Sequence, residues 1–260
     1  MMGPTPLLDF FKRGEAARDV RLAAAQGALA PRAHEQLSIL VLLIDDADRE
    51  VREAAEDTLG RIPHEAVSSF LARSDAPVSL REFFGERGIV PAAAPGEESD
   101  DPLIEVGSDS EDPEPEAEKA PRRETALQQL AKMGFFERLK AAMKGSREMR
   151  AILVRDPNKM ISAAVLSSPK LTEQEIEGIS RMANVPEEVL RMIGANRAWM
   201  KNYSVVLGLT KNPKTPLAMS MNLMHRLSDR DLNQLSVDRN VPEPLRIAAR
   251  KKIVSSRSKA

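Results

Sequence analysis

The second half of this chain repeats itself. At an offset of 56 residues, DPNKMISAAVLSSPKLTEQEIEGISRMANVPEEVL, from Asp156, lies on NPKTPLAMSMNLMHRLSDRDLNQLSVDRNVPEPLR, from Asn212, without a gap. The match pairs Leu171 with Leu227, Ile176 with Leu232, Ile179 with Leu235 and Asn184-Val185-Pro186-Glu187 with Asn240-Val241-Pro242-Glu243. Prolines at 157, 186, 213 and 242 divide this double unit into steps near 28 residues. A unit of that length cannot bury its own apolar face, so such units must stack.

The paired positions read as helix starts. Thr172 with Glu175 forms a capping box, and Ser228 with Asp231 is a shorter version in the same register. Pro157, Pro186 and Pro216 fall at or near first helical positions, where the missing N–H is not needed. The pattern predicts short helices over 158–167, 172–183, 186–195, 198–211, 216–226, 228–238 and from 242 onward. TALQQLAKMGFFERLKAAMK and REMRAILV add two more ahead of them. Helices of this length are marginal alone and gain stability by burying a stripe on neighbours.

The N-terminal half carries a looser repeat. DVRLAAAQGAL, from Asp19, aligns with EVREAAEDTLG, from Glu50, at an offset of 31, and SILVLLI, from Ser38, suits the buried second helix of a pair. With these residues in view, DDADREVREAAEDTLGRI resembles a HEAT repeat, and NPKTPLAMSMNLM resembles the leucine-rich-repeat variant, also a stacked-helix solenoid. The resemblance covers most of 15–90 and 145–253. It implies an all-α fold of two α-solenoid units and a packing scheme, but no activity. The iron–sulfur cluster of some leucine-rich-repeat-variant proteins is not carried over, because the chain has no Cys.

Charge divides the chain further. Residues 1–90 hold 11 basic and 15 acidic side chains, residues 91–121 one Lys and 11 acids, and residues 122–260 26 basic and 13 acidic ones. Net charge therefore runs from −4 through −10 to +13. The middle stretch also holds six of the 18 prolines, so it is expected to be a disordered acidic linker between an N-terminal HEAT-like domain, 1–90, and a basic C-terminal repeat domain, 122–260. One apolar island, Leu103, Ile104 and Val106, interrupts it, either by chance or as an extended segment able to pair with a partner.

Chemistry is sparse. The three histidines, His34, His64 and His225, sit in no metal-ligand spacing, and neither GxSxG nor GxxxxGK[ST] occurs. No catalytic residue, metal or cofactor is expected. Asp45, Asp46 and Asp48 lack the calcium-loop spacing and read as acids at a helix start. Arg21 and Arg52 read as ion-pair partners within their repeats. Trp199 and Tyr203, four residues apart, are placed on one helix face, as core or rim residues or as a contact hot spot. Arg155, Lys211 and Arg239 precede the Asx residue that closes their units, so they either offset helix dipoles or line a cationic edge.

These features favour a non-enzymatic scaffold that presents a helical-repeat surface to a protein partner. The alternative is nucleic-acid binding by 122–260, with the acidic linker as intramolecular competitor. The longest apolar run, Ile39 to Ile44, is far short of the roughly 18 residues of a membrane span. MMGPTPLLDFFKRG lacks a signal pattern, so the cytoplasm is the expected compartment.

Overall fold

Every regular element in the computed structural model is helical among the residues it describes, 5–30, 32–93, 101–104 and 125–257. The chain divides into two compact units: Met1–Lys144 with Ser167–Pro169, and Gly145–Leu166 with Lys170–Ala260. The division thus falls at 144/145, not at the 121/122 boundary suggested by charge. Residues 126–144 are basic at the surface, but their buried Leu130, Leu139, Ala142 and Met143 belong with the first unit. Apolar faces, which charge does not report, decide the grouping.

The first unit holds α1 (Pro6–Lys12), α2 (Arg18–Ala25), α3 (Ala33–Leu43), α4 (Arg49–Arg61), α5 (His64–Leu71), α6 (Val78–Glu86), α7 (Ala126–Lys132) and α8 (Phe135–Lys144). Its centre is α3, which packs against α1, α2, α4 and α6. SILVLLI explains this role: Ile39, Leu40 and Leu43 are sealed from solvent, each a burial worth about 1.5–3 kcal/mol. Gly27, at φ 89°, closes α2 as its amide reaches the Ala24 carbonyl and that of Ala28 reaches Ala23. Thr125 caps α7 through a full capping box with Gln128. TALQQLAKMGFFERLKAAMK is therefore two helices rather than one, broken at Met133-Gly134, where Glu137 Oε2 accepts from the Gly134 amide at 2.7 Å.

The second unit holds α9 (Arg147–Leu153), α10 (Lys159–Ser167), α11 (Glu173–Arg181), α12 (Glu187–Ala195), α13 (Tyr203–Lys211), α14 (Leu217–Met224), α15 (Asp229–Val237) and α16 (Glu243–Arg257). Although α10 runs to Ser167, its last residue groups with the first unit. Helices pack on their next neighbour and on the next but one: α11 meets α12 and α13, α13 meets α14, and α16 meets both α14 and α15. Two glycines set how closely they approach. A Cβ at Gly208 would stand 2.2 Å from Ser180 Oγ, and one at Gly194 would stand 2.1 Å from Met219 Cε. The missing side chain lets α13 onto α11 at Gly208, whereas at Gly194 the contact is with the flexible end of Met219, which can move aside.

The helix predicted over 198–211 is two elements, a 3-10 turn at Trp199–Lys201 and α13, which starts after Asn202. The Asn202 carboxamide accepts from the Ser204 amide at 2.9 Å, giving the backbone an alternative to continued helix. Trp199 and Tyr203 consequently do not share a helix face.

Candidate functional site

Several polar side chains of the second unit serve its joints. Glu175 Oε2 accepts from the Thr172 amide at 2.9 Å and hydroxyl at 3.0 Å, while the Glu175 amide donates back to the hydroxyl. Its other oxygen takes two donors from Arg150, the nearer at 2.7 Å, in a pair with only 6% and 7% of the side chains exposed. Burial pushes the Glu175 carboxyl up, but the Thr172 amide and hydroxyl together with the guanidinium outweigh it and hold it below its ordinary value.

The equivalent joint, one double repeat later, is built differently. Aspartate is one methylene shorter than glutamate, and Asp231 does not reach back to the Ser228 amide. Tyr203 fills the gap: its hydroxyl accepts from the Ser228 amide at 3.0 Å and donates to Asp231 Oδ2. Ser228 Oγ donates to the same carboxylate oxygen at 2.7 Å. The phenol first, and then the Ser228 hydroxyl, hold the Asp231 carboxyl low.

Tyr203 is thus 43% exposed but engaged in a helix cap. Trp199 is half-buried in the 3-10 turn. Arg155 is exposed, and its Nε donates to the Ala151 carbonyl at 3.0 Å; Lys211 Nζ donates to Gln234 at 3.0 Å; Arg239 is exposed just beyond α15. All three stand at helix C-terminal ends, where a cation is favoured. Two cations that the repeat did not single out do this more directly. From α16, Lys252 Nζ donates to the Met224 and His225 carbonyls at the end of α14, and Arg250 donates to the Ser236 carbonyl near the end of α15.

In the first unit, Asp48 caps α4 by accepting from the Glu50 and Val51 amides, and it pairs with Arg18 at 2.6 Å. That guanidinium holds the Asp48 carboxyl below its ordinary value. Asp46 pairs with Arg21 at 2.7 Å, as expected, whereas Arg52 donates to the Asp46 and Ala47 backbone carbonyls instead of an acid. Among the described residues no group of His, Asp and Glu is arranged to hold a metal ion, and no helix is long and apolar enough to cross a membrane.

The arrangement with the clearest capacity to bind something was not legible in the sequence. Gln36 lies on α3, 1% exposed among Leu37, Ile39 and Leu40. Its carboxamide oxygen accepts from the backbone amides of Leu103 at 2.7 Å and Ile104 at 3.1 Å, and its nitrogen donates to the Ile104 carbonyl at 2.7 Å. Both edges of one side-chain amide are therefore filled by the backbone of a segment 67 residues further on. Leu103 and Ile104 of the apolar island are half-buried against the first unit, not free along an extended linker. Val106 and the rest of that stretch, 105–124, lie outside the described residues. The local signal was a polar Gln inside an apolar helix; nothing in repeat or spacing linked it to the island.

No family model, no curated protein and no solved structure matches this chain. What it can do rests on its own geometry.

Proposed function

We propose that this chain is a non-enzymatic scaffold whose helical surfaces take hold of short segments of protein. The Gln36 carboxamide, filled on both edges by backbone, supports the reading, because it holds the main chain of a distant segment on a helix. The polar networks of the second unit fit the same role, since they are spent on keeping helices in register for presentation. Display of random peptides against the immobilised full chain tests the proposal. Enrichment of short segments with adjacent apolar residues is expected, and the absence of enrichment for any peptide class would overturn it.

A second reading is supported by the exposed Arg155 and Arg239 and by the basic α16. These cations suit a phosphate backbone, whose binding weakens steeply with salt. Fluorescence anisotropy of labelled single- and double-stranded oligonucleotides at two salt concentrations discriminates between the readings. Salt-sensitive binding by the full chain, lost in the Arg155→Glu/Lys211→Glu/Arg239→Glu variant, would put nucleic acid first.

A further inference from the structure

Resting on the scaffold reading, the geometry points to the Gln36 position on α3 as a peptide site. Its ligand is a protein segment bent at the first of two adjacent apolar residues, and Leu103-Ile104 of the same chain is its resident competitor.

Three observations carry this inference. Every hydrogen bond between Gln36 and the segment is to backbone, the successive amides of Leu103 and Ile104 and the Ile104 carbonyl, so the amide reads a main chain bent at Leu103 and not the identity of a side chain. Any segment of the same conformation satisfies it equally. Gln36 is also almost fully buried, on a helix whose neighbouring Leu37, Ile39 and Leu40 are sealed from solvent. With the segment gone, its buried donor and acceptor lose their partners, which is costly for each group left unsatisfied. A second peptide backbone restores all three hydrogen bonds with the same spacing, which gives the site a selective demand for such a ligand.

The resident is also lightly held. Leu103 and Ile104 keep part of their surface in solvent, and the three hydrogen bonds, exchanged against bonds to water, contribute only modestly. Its main advantage is the tether. A segment joined to its own site acts at an effective concentration on the order of millimolar, so an external segment of equal intrinsic affinity meets strong competition. Pro102, just before the apolar pair, fixes its own φ and biases Asp101 toward extended backbone. Ligands with proline at that place lose less entropy on binding and are expected to rank first.

The test uses a labelled peptide with the sequence SDDPLIEVG, residues 99–107, titrated into the full chain and into the Leu103→Asp/Ile104→Asp variant. Freed of its competitor, the variant is expected to bind about 10-fold or more tightly than the wild type. Adding Gln36→Leu to the variant is expected to reverse the gain. Equal binding with and without Gln36, or no binding to a variant that keeps wild-type circular dichroism, overturns the proposal. Should the variant fail to fold, hydrogen exchange on 15N-labelled wild-type chain decides. Excess unlabelled peptide should accelerate exchange in the fragment spanning 103–104, and unchanged exchange overturns the site. Peptides enriched by display that still bind Gln36→Leu chain would overturn this site while leaving the scaffold reading intact.

Discussion

Arg150 reaches forward 25 residues to Glu175 with two hydrogen bonds and back five to the Gly145 carbonyl at 2.8 Å. Arg21 does the same in the first unit, forward 25 residues to Asp46 and back five to the Ala16 carbonyl at 2.8 Å. Each arginine is the fourth residue of its helix. The two units therefore share a clamp in which a guanidinium ties the entry of one helix to the start of a later one.

The buried copy of this clamp is the more sensitive. Arg150→Met leaves Glu175 buried beside its cap without the guanidinium, and breaking such a pair from one side costs about 3–5 kcal/mol. Urea unfolding of the full chain should show that loss. Arg21→Met, at a pair with the arginine 25% exposed, should cost clearly less.

Acid acts on the same group. The folded Glu175 carboxyl lies below the ordinary value of 4.5, so its ionised form is favoured by folding. Its contribution is fully present above about pH 4.5 and is lost as pH falls through the lower, folded value. Chemical unfolding measured across pH 3–5 should show a shallower decline in Glu175→Gln than in wild type.

Tyr203 gives a rescue experiment. Tyr203→Phe leaves the Ser228 amide without its partner and Asp231 with only the Ser228 hydroxyl of its two hydroxyl donors, and should destabilise by about 0.5–1.5 kcal/mol. Asp231→Glu in that background supplies the missing methylene, so the carboxylate can reach the Ser228 amide as Glu175 reaches Thr172. Thermal unfolding should recover part of the loss; recovery of none would argue against the bridging role.

Gly208→Ala tests the close approach of α13 to α11. Alanine favours a helix by about 1 kcal/mol over glycine, but here its Cβ meets Ser180 Oγ at 2.2 Å. Overpacking of about 1–3 kcal/mol should win, giving a net loss in unfolding free energy. Ser180→Gly should relieve part of it.

The helices and the Thr172/Glu175 box could be read from the sequence because their signals are local: prolines, Asx residues and an apolar stripe within ten residues of one another. What escaped depends on residues far apart. Asn202 ended a helix that periodicity carried through, since a side chain that bonds its own backbone competes with the helix from within. Gln36 and Ile104 have no periodic relation at all. The role of Tyr203 needed the geometry of a carboxylate one bond too short, which no spacing rule reports.

The joints between helices are also written locally. Asp156 accepts from Asn158, Asn196 from Ala198, Asn202 from Ser204, Asn212 from Lys214 and Asp238 from Asn240, each two residues on. A bend encoded in three successive residues can form while the rest of the chain is still unstructured. Folding of the second unit can then start at any joint and spread to adjacent helices, and its outermost helix can peel away without the others following. Such a protein tolerates damage at one end as a zip fastener does: teeth are lost there while the remainder stays closed.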